Sequence, residues 1–305
     1  MRRVMLVLMM VMFLLVIGGC VRRWEEVTIE VRGPNWSSDN KVIFLKEVIT
    51  WEWEERPPFV SEHVVGIESR LVLMEVDTLG VGLESLGVVR AGGKDYFSEF
   101  LSTGSAGEWV CIGIPTGIDN VTNYVTEGEI WVMRRDGSGL EKVGEGVHPD
   151  FSPDASKIVY EKPDSGIWVM NRDGSNNHCI VPDADAKYPA WSPDDSLIGY
   201  LYWGSYEGYG YATFILDITS DTIFSSYPGF YFYDWGEGGT DEIFVGLYWG
   251  GFGKVNINTG KVDTINMCVS HVSMDGDFFI GEDKNGYFVC RKDGSNKWYL
   301  KDLIE

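Results

Sequence analysis

One ten-residue phrase is written almost twice in this chain: IWVMRRDGSG (Ile130 to Gly139) and IWVMNRDGSN (Ile167 to Asn176). A third version, YFVCRKDGSN, stands at Tyr287 to Asn296. Repetition constrains a fold strongly, because a repeated segment must find equivalent neighbours each time it occurs. The phrase is half of a longer unit. The other half is FSPDASKIVY (from Phe151) and WSPDDSLIGY (from Trp191), and the two copies start forty residues apart, a blade-sized period.

Weaker copies extend both ways. NWSSDNKVIFLKE (from Asn35) and LVLMEVDTLG (from Leu71) match the two halves upstream, and VSMDGDFFIG (from Val272) matches the first half downstream. The count is six first halves and six second halves, so residues 27–305 divide into units of about 46. All four residues of IWVM are apolar, which buries both faces of a strand. Asp-Gly closes each clear copy as a tight hairpin. In SPD the proline presets a turn, and the serine and aspartate can bond the local backbone. Beyond the N-terminus no long stretch carries helical periodicity. These features predict an all-β protein, a six-bladed β-propeller of four-stranded antiparallel blades.

The pattern WSPD…IGY…IWVMNRDGSN resembles the propeller repeat of TolB, found also in the gating propellers of prolyl-oligopeptidase-type peptidases. The resemblance is specific at residues 130–200 and 287–296 and diluted elsewhere. It implies a propeller over nearly the whole mature chain. Room is lacking for the α/β domain that precedes the propeller in TolB. No hydrolase domain follows, and no GxSxG elbow occurs.

The N-terminus has a different character. A basic MRR leads into an apolar run from Val4 to Ile17 and then IGGC, ending at Cys20. This layout resembles a bacterial lipoprotein signal. It implies a signal peptide over 1–19, lipidation of Cys20, a tether over 20–26 and the propeller over 27–305. The alternative is an uncleaved anchor, for which Val4 to Val21 is marginal in length. Either way the folded part is expected in the cell envelope, periplasmic or outer-membrane-associated; Val21 after the cysteine favours outer-membrane delivery by family analogy. The net charge is −21, which repels nucleic acid and anionic lipid. Cys111, Cys179, Cys268 and Cys290 lack CxxC spacing and mostly sit in apolar runs. Buried thiols are therefore expected, although an exported chain could pair them.

In a four-stranded meander, a–b and c–d turns share one end, and b–c and d–a connections share the other. SPD and DGS occupy the first end, so idiosyncratic loops, and function with them, are expected at the second. The long b–c loops fall at 45–70 in blade one and 115–128 in blade two, with WGSYEGYG (Trp203 to Gly210) in blade four and LYWGG (from Leu247) in blade five. Their aromatic residues Trp51, Trp53, Tyr202, Trp203, Tyr206 and Trp249, among carboxylates, are candidates for stacking on a sugar or anchoring a peptide. The same rings could instead pack the loops onto the propeller. His148, His271, Asp183 and Asp185 are the metal candidates, because they precede inner strands and could meet at the channel mouth. No catalytic constellation and no required cofactor emerges.

Two functions compete. One is a non-enzymatic envelope scaffold for a protein, a glycan or a separate peptidase. The other is a small metal-dependent lyase or lactonase using the rim histidines and acids.

Overall fold

The computed structural model describes residues 10–12, 22–37, 39–55, 62–92, 101–119, 121–122, 124–236, 241–248, 250–265, 270–273 and 277–304. These form a six-bladed β-propeller, as the repeat predicts. Each blade is an antiparallel meander drawn from one continuous stretch. Blade one comprises Arg22–Trp36, Val42–Glu55, Glu62–Val76 and Glu84–Gly92. Blade two comprises Ser102–Ala106, Trp109–Ile118, Val125–Arg134 and Glu141–Glu145. Blade three comprises Val147–Phe151, Lys157–Lys162, Gly166–Asn171 and His178–Val181. Blade four comprises Ala186–Trp191, Leu197–Tyr202, Ala212–Asp217 and Thr222–Pro228. Blade five comprises Phe230–Trp235, Glu242–Leu247, Phe252–Asn256 and Val262–Ile265. Blade six comprises His271–Val272, Phe278–Asp283, Gly286–Arg291 and Trp298–Tyr299, and ends in a 3-10 turn over Leu300–Leu303. A short strand, Met10–Met12, pairs antiparallel with residues 23–25 of blade one.

The core lies between blades. Ile43, Leu45 and Leu71 of blade one meet Val110, Ile112 and Met133 of blade two. Ile130 and Val132 meet Ile158 and Tyr160 at the next junction, and Val159 and Ile167 meet Ile198 and Leu216 at the third. Leu201 and Ile215 pack on Phe232 and Ile243, and Phe244 packs on Phe279 and Phe288. At the last junction Trp36, Phe44 and Met74 of blade one meet Ile280, Val289 and Leu300 of blade six. Fully burying one such side chain contributes roughly 1.5–3 kcal/mol. The ring therefore closes by side-chain packing, with Trp298 Nε1 donating to the Thr78 carbonyl across the seam at 3.1 Å.

The repeated phrase serves these junctions. Ile130, Val132 and Met133 are buried, as are Ile167, Val169 and Met170. Gly137 and Gly174 have φ of 83° and 81°, and a Cβ on either would strike the Leu86 or Val143 carbonyl of the preceding blade. The turn is thus glycine for its backbone angle and for its close approach. In the SPD turn Asp154 accepts from Ser152 Oγ at 2.7 Å and from Ser156 N at 2.9 Å. Those donors hold its carboxyl down at about 2.

Two expected loops are strand. In blade one, 45–55 and 62–70 continue the ladder: Trp51 pairs with Glu26 and Ile67, and Trp53 with Val64. The β-branched run Val48, Ile49 and Thr50, followed by Trp51 and Trp53 alternating with glutamates, favours a pleated strand over a loop. Three strands of 14 or 15 residues therefore project beyond the disc as an arm. In blade two, Pro115 pairs with Gly128 and Ile118 with Val125, which shortens that loop to 119–124.

Cys111 is a buried free thiol, Cys179 is a half-buried one, and Cys290 is buried in the last blade. Burial pushes the Cys111 thiol well up. Cys20 and Cys268 lie outside the described residues. No helix among the described residues is long and apolar enough to cross a membrane.

Candidate functional site

The inner strands of the blades enclose a central cavity of about 350 Å³. That is the size of a small-ligand pocket, for which roughly 300–1,000 Å³ is usual. Its wall is built by the residues just before the first hairpin turn of each blade. Asn35, Asp150, Ala190, Asp234 and His271 each precede the residue that leads into that turn, and all line the cavity.

Asp150 accepts from the Trp191 backbone N–H of the neighbouring blade at 2.9 Å. Burial, with the added charge of Asp234, pushes its carboxyl up to about 7. Asp234 accepts from Trp235 N at 2.8 Å and lies 3.4 Å from His271 Nδ1. Asn35 donates to the Thr103 carbonyl at 2.7 Å. The layer is polar, hydrogen-bonded to the scaffold and surrounded by aromatic rings.

Toward the b–c and d–a end the strands bulge. The register shifts between Val147 and Asp150 and again between Lys187 and Ala190. His148 and Tyr188, each followed by proline, sit there at φ of 49° and 51°. That angle is rare for a side chain of this size and rarer before proline. A bulge of this kind re-aims a side chain, here onto the channel wall. His148 Nδ1 meets Glu161 at 2.9 Å, Lys187 Nζ meets the same carboxylate at 3.3 Å, and Tyr188 N donates to it at 3.3 Å. Burial opposes the charge on Glu161, but His148 and Lys187 outweigh it and hold its carboxyl below the usual range. Burial and the Glu161 charge push the Tyr188 phenol up to about 12.

An aromatic wall continues outward. The His148 and Tyr188 rings are 4.3 Å apart, and Tyr188 reaches Tyr231 at 6.4 Å. Tyr231 in turn contacts Trp203 and Tyr211, both at 6.0 Å. Trp203 stacks on Tyr211 at 6.2 Å and is 38% exposed, so it carries the wall from the channel to the surface.

The six aromatic candidates are thus divided. Trp51 and Trp53 lie half-buried on one face of the arm, beside the exposed Val64 and Ile67. Tyr202 and Tyr206 pack against Phe214 at 5.7 and 4.9 Å, and Tyr206 Oη contacts Ser226 at 3.2 Å, so both fasten the loop to blade four. Trp203 alone joins the channel wall among these described candidates. Trp249 lies outside the described residues. Blades one and four are three places apart in a ring of six, so the two groups stand on opposite sides.

Of the four metal candidates, His148 and His271 line the cavity, and Asp183 and Asp185 do not. His148 is engaged by Glu161 and His271 by Asp234, while Asp183 Oδ1 accepts from Asp185 N at 3.0 Å in an exposed turn. Among the described residues no group of three or more His, Cys, Asp or Glu could hold a metal ion. Sequence reasoning passed over Asp150, Glu161, Tyr188, Tyr231 and Asp234. Aligning the repeats by their turns would have exposed Asp150 and Asp234 at one position, and HP against YP at another.

No family model and no curated protein matches the chain. Among solved structures it is similar to the oligogalacturonate lyase of Vibrio parahaemolyticus, at 10% identity over 95% of this chain and 97% of that one, with a TM-score of 0.49. It is also similar to the propeller domain of the Trilobed protease from Pyrococcus furiosus, at 16% identity over 68% and 72% of the two chains, TM-score 0.44. A putative TolB from Agrobacterium tumefaciens shares 15% identity over 65% and 80%, TM-score 0.37. Likenesses of this degree decide nothing about the site; the architecture rests on the strand order itself.

Proposed function

We propose that this chain is a non-enzymatic binding propeller of the cell envelope, tethered through Cys20, that holds a protein or glycan partner over the channel mouth. One observation carries this reading: the exposed Trp203 continues, ring by ring, through Tyr231 and Tyr188 into the cavity. Flat aromatic area joined to oriented polar groups is what partner recognition uses. The polar groups at the mouth are engaged with one another, as in a positioned wall.

A metal-dependent lyase or lactonase is the second reading. It is favoured by one fact, that His148 and His271 line the same cavity. Capture of partners from solubilised envelope separates the two. The wild-type chain is expected to retain a partner with or without chelator, and Trp203→Ala to lose it with an unchanged melting temperature. Chelator-sensitive turnover of a uronate or lactone by the purified chain would overturn the binding reading.

A further inference from the structure

The long strands of blade one continue past the disc at its b–c end, and the two faces of that arm differ. The face that buries Ile43 and Leu45 against blade two runs on through the buried Ile49 to Trp51 and Trp53. Successive side chains of a strand alternate between faces, so residues paired across the ladder share one. Ile67 pairs with Trp51 and Val64 with Trp53; the two aliphatic residues are 36% and 38% exposed, and the indoles are half-buried. Glu26, paired with Trp51, is on this side too. The opposite face carries the exposed Glu25 and Glu52, paired with each other. Val42–Glu55 has 14 residues where the second strands of blades three to six have 6. At ~3.4 Å per residue the arm reaches roughly 27 Å beyond them.

The far end of the arm is also where the N-terminal segment arrives. There Arg22 pairs with Glu55 and Glu55 with Glu62, and Met10–Met12 of the apolar run pair alongside, with residues 23–25. Cys20 stands two residues before Arg22, at most about 7 Å of chain. A bilayer that holds the protein by lipid on Cys20, or by the apolar run itself, therefore meets it at the end of the arm.

We propose that the tip of this arm enters the bilayer interface, with Trp51, Trp53, Val64 and Ile67 as its lipid-facing side. This rests on the tethered reading above and adds a second contact with the membrane. Tryptophan suits that boundary because its ring is apolar while its N–H finds water or a headgroup. Valine and isoleucine add apolar area to bury there. The net charge of −21 selects a zwitterionic lipid surface over an anionic one. It also disfavours a second copy as the occupant, since two such arms would bring their glutamates together. Because the arm leaves the disc at the end where Trp203 lies, the channel mouth then faces the membrane.

The test places a nitrobenzoxadiazole label at Ile67→Cys or at Val88→Cys in the full chain, reconstituted into phosphatidylcholine vesicles. Val88 is as exposed, at 39%, but lies on the disc part of blade one, paired with Val72. Unsubstituted chain, labelled in parallel, corrects for the native cysteines. Nitroxide on the lipid acyl chains should quench the Ile67 label at least threefold more than the Val88 label. Trp51→Ser with Trp53→Ser should remove that difference while the melting transition stays in place. Equal quenching of the two labels, or unchanged quenching in the double variant, overturns the proposal. So does an Ile67 label shielded from iodide in a dimer yet untouched by the lipid nitroxide, which makes a second copy the occupant. Mass spectrometry of Cys20 separates the arm from the tether. A lipidated chain whose Ile67 label stays in water refutes the arm and leaves the tether standing; an unlipidated chain whose label is quenched does the reverse.

Discussion

Asp150 shows how one enclosed carboxyl couples the channel to pH. The folded chain holds its proton to about 7, because of burial and the nearby Asp234 charge, while the unfolded chain releases it near the ordinary value of about 3.9. A raised carboxyl pKa means that the unfolded state loses its proton first as pH rises. Stability contributed by this residue is therefore fully present below about 4 and is lost progressively up to about 7. Asp150→Asn removes that loss. Relative to the wild type, the variant should gain roughly 2–4 kcal/mol between pH 4 and pH 8 in urea unfolding. A difference that stays constant with pH would show the carboxyl to be ionised throughout. Asp154 runs the other way: hydrogen-bond donors in the SPD turn hold it at about 2, so its contribution disappears only in strong acid.

Turns and strands differ in how openly the sequence declares them. The Asp-Gly hairpins and buried IWVM strands are legible because backbone angle and burial restrict the residue types at each position. Gly174 carries two restrictions at once, its positive φ and the Val143 carbonyl behind it; Gly139, at φ 68°, has open space around it. Gly174→Ala should therefore cost about 2 kcal/mol or more and Gly139→Ala about 1, measured by thermal or urea unfolding. Equal costs would mean that the turn does not press on its neighbouring blade. The blade-one arm was hidden for a physical reason. Residues 48–55 match neither half of the repeat, and the tryptophans and glutamates at 51–54 read as loop decoration until the stretch is paired with 22–29 and 64–70. The channel wall was hidden for another. Asp150, Tyr188 and Asp234 occupy positions where the repeats disagree, and one copy of a repeat cannot say which disagreement faces a cavity.

At the scale of the molecule, the disc and its N-terminal segment make separate demands. If Cys20 is the anchor, Cys20→Ala should move the chain from the membrane pellet to the soluble fraction while leaving its unfolding transition in place, since the cores lie between blades. A variant that stays with the membrane after high-salt washing would point to the apolar N-terminal run itself as the anchor. The way the ring closes also has a consequence in time. Every blade is complete in one unbroken stretch of chain, so each can pair its strands as soon as that stretch has emerged, and can then dock on the one before it. Only the junction of Trp36 and Phe44 with Ile280, Val289 and Leu300 spans nearly the full sequence. Contacts between distant residues form late, because the loop between them must first be closed at an entropic cost. Sealing that junction is the step that turns a row of finished blades into a cavity with walls on every side. The central cavity is thus the last part of the protein to come into existence, and a chain interrupted before its last blade carries finished blades but no enclosed pocket.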